Sequence, residues 1–148
     1  MEPGKVIAFF EQKRIFCAVC LEVKGNKVHL LSEENREVSL GLNRIAQTSS
    51  YSLNPALPRE TLAENLKKMV ERQKNLMPSI FIQELWELVW EERRDFSLRE
   101  LTELVFSSQI TFDHEMALFR ALFEDRLYFK PKGELFEPRT KEKVEEIG

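Results

Sequence analysis

Three aspartates are the side chains best suited to hold a catalytic metal ion, and their spacing argues against that use. Magnesium-dependent phosphoryl chemistry needs several carboxylates converging on one or two ions, so its motifs place aspartates a few positions apart. Here Asp95, Asp113 and Asp125 are the only aspartates, and they are widely separated. Glutamates such as Glu91 and Glu92 lie in polar runs typical of a solvated helix face. The sequence therefore predicts no metal site.

Nucleophilic catalysis is also disfavoured. No Gly-x-Ser-x-Gly elbow and no glycine-rich phosphate loop occur among the five glycines. His114 and Glu115 are neighbours, but adjacent helical residues project about 100° apart and do not face each other. We therefore predict that this chain by itself is not an enzyme.

Cys17 and Cys20 are the only cysteines, too few for a disulfide-stapled secreted domain. Their spacing is that of half a zinc site, yet there is no second pair, and His29 and His114 are the only histidines. On a strand, a step of three residues points the two thiols to opposite faces. We expect buried structural cysteines.

The best binding signal is a basic hairpin from Arg126 to Arg139. Strand alternation places Arg126, Tyr128 and Lys130 on one side, and the apolar residues between them face the helices. A tyrosine ring can stack an unpaired base while neighbouring cations meet phosphates. We predict a contact surface for single-stranded RNA made of Arg126, Tyr128, Lys130, Lys132 and Arg139.

A structural interpretation of the same hairpin stays open. In it, Tyr128 packs on Phe136 and the bases only protect the edge of a wing. Trp86 and Trp90, four residues apart, could likewise form a base-stacking ladder, but their apolar neighbours favour core packing.

The helix predicted over residues 111–124 lacks the features of a duplex-reading helix. Major-groove readers expose Arg, Lys, Asn or Gln, whereas this segment carries Asp113, Glu115 and Glu124 against a single Arg120. A transcription regulator is therefore disfavoured, and this helix is expected to pack on other parts of the protein.

Short strands are predicted over residues 5–45, where apolar runs alternate with polar turns. The odd-numbered residues from Ile15 to Val23 would share one face, and Gly25-Asn26 would close a hairpin onto residues 28–31. With residues 6–10, 37–40 and 42–45, this predicts five strands and a small SH3-like β-barrel. Residues 46–58, rich in Ser, Asn and Pro, predict a linker.

Helical periodicity begins after the linker. Thr61-x-x-Glu64 predicts a capping box for a helix that carries Leu62, Leu66, Met69 and Val70 on one stripe and ends near Pro78. The fold class is therefore α+β, with a barrel at residues 1–49, a linker and amphipathic helix at 50–78, a winged helix domain at 79–139 and a polar C-terminal segment at 140–148.

The winged domain is predicted from three helices and the hairpin. A helix over residues 79 to about 92 would carry Phe81, Leu85 and Leu88 on one stripe. The box Ser97-x-x-Glu100 would open the next helix, which would end at Ser107-Ser108, and Thr111 would cap the last one. The hairpin strands would cover residues 127–130 and 134–137 around a Pro-Lys-Gly turn.

Composition limits the remaining function classes. The chain has 148 residues, 43% of them apolar, and its 22 bases against 25 acids give a net charge of −3. Any nucleic-acid binding must therefore be local. No run approaches the roughly 18 apolar residues that cross a bilayer, and the N-terminus lacks a secretory signal. We expect a cytoplasmic protein with no membrane partner.

The C-terminal residues resemble a known family. The stretches Leu104-Val-Phe-Ser-Ser-Gln, Leu122-Phe-Glu-Asp-Arg-Leu-Tyr-Phe-Lys-Pro-Lys-Gly-Glu-Leu-Phe-Glu-Pro-Arg and Val144-Glu-Glu-Ile resemble the region before the catalytic domain of ribonuclease II (RNB) family exoribonucleases of the cyanobacterial, plastid and Deinococcus kind. The resemblance implies a parent protein that is a 3′ to 5′ hydrolytic exoribonuclease, with magnesium in a downstream catalytic domain and no cofactor in this chain.

The same resemblance implies that this chain is a regulatory or RNA-binding region. Its partners would be single-stranded RNA and its own catalytic domain, and no catalytic residue carries over to it. The alternative hypothesis is a protein docking module with no nucleic-acid contact, based on the acidic helix and the negative net charge.

Overall fold

The computed structural model describes residues 1–107 and 109–148, which form two compact units, Met1–Arg72 and Gln73–Gly148. No helix in these ranges is both long enough and apolar enough to cross a membrane. The α+β class predicted from the sequence is confirmed.

The first unit is a five-stranded antiparallel sheet with the order β4-β3-β2-β1-β5. The Gly25-Asn26 hairpin is confirmed, since Lys24 pairs with Lys27 across it. The strands are β1 (Lys5–Glu11), β2 (Arg14–Lys24), β3 (Lys27–Ser32), β4 (Glu37–Gly41) and β5 (Ile45–Ser52).

The fifth strand corrects the predicted boundary of the sheet. Leu42–Arg44 form a 3₁₀ turn instead of a strand, and β5 runs through the segment predicted as a linker. Its Ser and Thr residues are tolerated because β5 pairs only with β1, so it is an edge strand. The Ser49 hydroxyl also donates a 2.7 Å hydrogen bond to the Val6 carbonyl.

The even-numbered residues of β2 join the main buried cluster of the sheet, whereas the odd-numbered ones were predicted to share one face. Phe16, Ala18 and Cys20 join the buried cluster, and a register shift between Cys20 and Glu22 brings Val23 against it. Cys17 and Val19 are buried as well, so both faces of this part of β2 are covered. Both cysteines are buried, as predicted. Burial raises the pKa of the Cys20 thiol.

The predicted SH3-like barrel is confirmed only as a five-stranded sheet. Within the described residues no ladder joins β4 to β5, so the sheet does not close on itself. The two terminal strands keep one unpaired edge each.

Helix α1 (Arg59–Leu76) ends near Pro78, as predicted, and its apolar stripe is buried. Its start differs from the prediction. The helix begins before Thr61, and the Leu62 N–H donates to the Pro58 carbonyl at 3.0 Å. Thr61 is therefore inside the helix and is not its N-cap, because the chain already turns helical after Pro58.

The second unit combines helices with a three-stranded sheet of order β6-β8-β7, the arrangement of a winged helix. The elements are α2 (Ile82–Val89), β6 (Phe96–Ser97), α3 (Leu98–Val105), α4 (Phe112–Glu124), β7 (Phe129–Lys132), β8 (Leu135–Pro138) and α5 (Lys141–Ile147).

Capping residues place α3 and α4 where the sequence predicts them. The Ser97 hydroxyl accepts the Glu100 N–H at 3.0 Å, and the Glu100 carboxylate accepts the Ser97 N–H at 3.0 Å. Thr111 precedes α4 and donates its N–H to His114 Nδ1 at 3.1 Å. Helix α3 ends at Val105, and Ser108, part of its predicted end, lies outside the described residues.

Helix α2 is shorter than predicted and less completely buried. It buries Ile82, Leu85, Trp86 and Val89, a spacing that covers one face of a helix. Phe81 and Leu88, predicted on its core stripe, are 61% and 66% exposed. The predicted stripe is wrong at Phe81 and Leu88 and right at Leu85, because the packed face of the helix runs through Ile82, Leu85, Trp86 and Val89.

The strands of the wing lie further along the chain than predicted, by two residues for the first and by one for the second. Pro131 and Lys132 belong to β7, and the reversal falls at Gly133, whose φ of +64° suits a residue without a side chain. Phe96 pairs with Phe136, so the short strand β6 adds a third strand that was not predicted.

Candidate nucleic-acid interface

A cleft of about 390 Å³ lies within the second unit, beside the wing. Its walls are formed by Trp90 and by later parts of the chain, namely residues 93–95, Lys130 and residues from 137 to 143. Five cations line it, namely Arg93, Arg94, Lys130, Arg139 and Lys143. Two carboxylates, from Asp95 and Glu137, line it too. The cleft is therefore basic, although the chain carries a net charge of −3.

The end of α2 positions the first pair of cations. A 3₁₀ turn, Trp90–Glu92, follows this helix, and Arg93 then takes a left-handed conformation with φ of +53°. That conformation costs a residue with a side chain on the order of 1 kcal/mol. The turn reverses the chain toward β6 and leaves Arg93 exposed at the cleft.

The wing and the start of α5 supply the other cations. Lys130 on β7 stands opposite Glu137 on β8 in the antiparallel ladder. The Thr140 hydroxyl caps α5 by accepting the Lys143 N–H at 3.2 Å, which fixes the first turn of that helix. Lys130, Arg139 and Lys143 thus come from β7, the residue after β8 and the first turn of α5.

The carboxylates of Asp95 and Glu137 both pair with Lys132. Lys132 Nζ lies 3.8 Å from Asp95 Oδ2 and 3.5 Å from Glu137 Oε2. Lys132 therefore offsets acids that would repel an anion at the cleft. In the part of the chain that the structure describes, neither Arg93 nor Lys130 has an ion-pair partner within 4.0 Å.

Arg94 is held more tightly. Its guanidinium lies 3.0 Å from Glu100 Oε2 and 3.5 Å from Glu92 Oε1, and its central carbon stands 3.8 Å from the centre of the Phe96 ring. The Ser97 backbone N–H, followed by Arg94, lowers the pKa of Glu100. This guanidinium helps to hold the turn together and is less available to an incoming anion than Arg93 or Lys130.

An aromatic column ends at the cleft. The Tyr128 and Trp86 rings are 5.3 Å apart, and the Trp86 and Trp90 rings are 5.6 Å apart and within 15° of parallel. Trp86 is buried, and its indole N–H donates a 2.7 Å hydrogen bond to the Arg139 carbonyl. Trp90 stays half-buried and lines the cleft.

The structure brings together only part of the predicted surface. Lys130 and Arg139 line the cleft, while Lys132 pairs with its acids. Arg126 is exposed and lies over the Phe123 ring, 4.9 Å from its centre. Tyr128 is half-buried against Trp86, so its ring is neither a free stacking platform nor packed on Phe136 as in the structural alternative.

Sequence reasoning did not include Trp90, Arg93 and Lys143 in the candidate site. The adjacent Arg93 and Arg94 after a predicted helix indicated a basic patch in the sequence. Their position beside the wing could not be predicted, because it depends on how α2 and the hairpin pack. Core packing was predicted for both tryptophans, and it holds for Trp86, which is 7% exposed.

Helix α4 offers no basic face. Arg120, its only cation, is 8% exposed and donates to Gln73 Oε1 at 3.0 Å, and Gln73 in turn donates to Asp113 Oδ1 at 3.0 Å. Glu115 lies 3.6 Å from Arg99, yet burial raises the pKa of its carboxyl. This supports the expectation that α4 does not read duplex DNA.

The first unit contains a separate polar chain on its sheet. His29 hydrogen-bonds Ser39 at 2.9 Å through Nδ1 and Glu37 at 2.8 Å through Nε2, and Arg59 pairs with Glu37 at 3.1 Å. The His29 hydrogen bond, followed by Arg59, lowers the pKa of Glu37. Since His29 and Ser39 are direct ladder partners, this chain fits cross-strand stabilisation.

The fold of the second unit, with helices α2 to α4, a wing and a basic cleft, defines a winged helix protein. The family model for the winged helix domain of ribonuclease II matches residues 68–143, and the chain belongs to this family. This confirms the resemblance found in the C-terminal residues.

A curated relative extends the match along the chain. An uncharacterized ribonuclease of Synechocystis sp. is 39% identical over 153 aligned residues, which cover 99% of this chain and 21% of the relative. The chain thus spans about a fifth of that relative's length. No solved structure matches.

Proposed function

We propose that this chain is the non-catalytic N-terminal region of a ribonuclease II family 3′ to 5′ exoribonuclease, and that its winged unit guides single-stranded RNA toward a downstream catalytic domain. The observation that carries the proposal is the basic cleft within a chain of net charge −3. A local cluster of cations attracts a phosphate backbone even where the whole chain does not.

The contacts favour Arg93, Lys130 and Arg139 as the phosphate-binding side chains. Arg93 and Lys130 are exposed at the cleft, and Arg139 is anchored there through its own carbonyl. Lys132 acts indirectly in this proposal, by neutralising the carboxylates of Asp95 and Glu137. Arg126 and Tyr128, outside the lining of the cleft, have secondary roles.

The proposal places catalysis and magnesium outside this chain. Among the described residues there is no group of three or more His, Cys, Asp or Glu side chains that could hold a metal ion. In this proposal, as the family resemblance implies, the magnesium ions of the parent enzyme sit in its catalytic domain. A cytoplasmic location and an SH3-like character of the five-stranded sheet belong to the same proposal.

Binding of fluorescently labelled single-stranded RNA, measured by anisotropy at low salt, tests the proposal. The double variant Arg93→Ala/Lys130→Ala should bind at least tenfold more weakly than the wild type. Each lost phosphate contact should cost roughly 0.7 to 1 kcal/mol of binding free energy, and about 1.4 kcal/mol corresponds to tenfold. Lys68→Ala/Lys74→Ala removes the same charge from exposed lysines of α1 and should bind as the wild type does. Equal losses in both variants would refute a specific cleft.

A docking role without nucleic-acid contact is the alternative, and one surface favours it. Phe81, Leu88 and Leu104 are 61%, 66% and 49% exposed and line a shared groove between α2 and α3. Clustered exposed apolar side chains mark interaction sites. If the wild-type chain fails to bind RNA at low salt, and Leu88→Asp abolishes its binding to the separately produced remainder of the parent enzyme, docking is the better account.

A further inference from the structure

We propose that Trp90 is the base-stacking residue of the cleft, so that the cleft recognises an unpaired nucleotide and not only a phosphate chain. This inference rests on the proposed function and adds a ligand chemistry to it. The tryptophan is the sole aromatic side chain of the cleft lining within the described residues.

The geometry of the aromatic column supports this role. Trp90 stacks on Trp86 with the two rings within 15° of parallel and 5.6 Å apart. Trp86 occupies one face of the Trp90 ring, so a further ring can continue the stack only on the other face. Trp90 remains half-buried and borders a cleft of about 390 Å³, which is large enough for a nucleoside.

Trp86, on the side of the column away from the cleft, is fixed by its own contacts. Trp86 is 7% exposed, contacts the Tyr128 ring at 5.3 Å and donates its indole N–H to the Arg139 carbonyl at 2.7 Å. An aromatic surface that is fixed before binding loses little side-chain freedom when a base stacks on it. The structural role of Tyr128 in this column replaces the stacking role predicted for its ring.

The charges around the column fit the same ligand. Arg93, Lys130 and Arg139 line the cleft together with Trp90, so a base on the indole would have its flanking phosphates within a basic surface. Stacking against an aromatic ring is tolerant of base identity, because every base has an aromatic face. In a duplex those faces are already stacked on neighbouring bases. The cleft should therefore prefer single strands and show weak sequence preference.

The test compares an oligouridine of about ten nucleotides with an abasic oligomer of the same length and charge. The wild-type chain should bind the oligouridine about tenfold more tightly than the abasic oligomer. Only the oligouridine should quench tryptophan emission. Trp90→Phe keeps an aromatic face and should retain the preference, whereas Trp90→Leu keeps apolar bulk beside Trp86 and should lose it.

Each contrary outcome has a distinct meaning. Equal, salt-sensitive binding of both oligomers by the wild type would refute base stacking and leave the charged cleft intact. A preference that survives in Trp90→Leu would place the base contact elsewhere and overturn the role of Trp90. Failure of the wild type to bind either oligomer would overturn the proposed function, and this inference with it.

Discussion

Replacing Lys130 with alanine should change how RNA binding depends on salt, and not only how tight it is. Each phosphate neutralised by a cation releases condensed counterions, so the logarithm of the binding constant falls with the logarithm of the salt concentration by about 0.7 per contact for single strands. The slope therefore counts contacts, whereas a single affinity does not.

The structure fixes the expected count. Of the five cations of the cleft, Arg94 is bound to Glu92 and Glu100, and Lys143 lies 3.6 Å from Glu146. Arg93, Lys130 and Arg139 remain as the proposed phosphate contacts. Three contacts give a slope of about −2, which is a roughly 20-fold loss of affinity between about 50 and 200 mM salt. Lys130→Ala should reduce the slope to about −1.4 and the loss to roughly sevenfold.

Anisotropy titrations of labelled single-stranded RNA at four salt concentrations provide the measurement. Lys74→Ala, which removes the same charge from an exposed residue outside the cleft, should keep the wild-type slope. An unchanged slope in Lys130→Ala would refute direct phosphate contact by this lysine. A parallel decrease in Lys74→Ala would show that only the overall charge of the chain matters.

Three further predictions concern electrostatics and stability. Lys132→Ala should weaken RNA binding, because the carboxylates of Asp95 and Glu137 would lose their cation and repel phosphates. Adding Glu137→Gln should restore much of the affinity in the same anisotropy assay. A further loss of affinity in the double variant would instead assign Lys132 a phosphate contact. Glu115→Gln should raise the melting temperature near pH 7, because burial raises the pKa of this carboxyl and its charged form therefore destabilises the fold once the pH rises above the ordinary glutamate pKa. Thermal melts should show this gain disappearing near pH 4, where the carboxyl is protonated in the folded protein. Ser97→Ala should lower the free energy of unfolding in urea by about 1 kcal/mol, because the Glu100 N–H loses the hydroxyl that accepts its hydrogen bond. Ser97→Asp, which keeps an acceptor oxygen, is the conservative control and should retain the stability. Equal stability of all three proteins would contradict the capping role.

Local signals predicted much of the fold because they depend on few residues. The Ser97 and Glu100 pair forms the expected capping box, and Gly25-Asn26 closes the expected hairpin. Thr61 and Glu64 have the same capping-box spacing, yet Thr61 lies inside α1. The helix starts earlier because the chain already turns helical after Pro58, whose carbonyl accepts the Leu62 N–H. The wing is shifted because Pro131 and Lys132, predicted in the turn, pair with β8 instead, and the reversal falls at Gly133 with its positive φ.

Features that depend on packing were not predictable from pattern alone. The exposure of Phe81 and Leu88 reflects which face of α2 meets the rest of the unit, and composition cannot specify that face. For the same reason the candidate site was predicted along one hairpin, around Tyr128. The cleft instead joins Lys130 and Arg139 to Arg93, residues that meet only after the chain has folded.

The open sheet of the first unit raises the question of edge-to-edge association. Strands β4 and β5 each present unpaired backbone groups, the feature through which sheets of separate molecules can join. Register shifts interrupt the pairing of β5 with β1 in two places, and β4 has only five residues and begins at Glu37. Irregular, short and charged edges are poor templates for a foreign strand, so we expect the separately expressed region to stay free of strand-mediated aggregation.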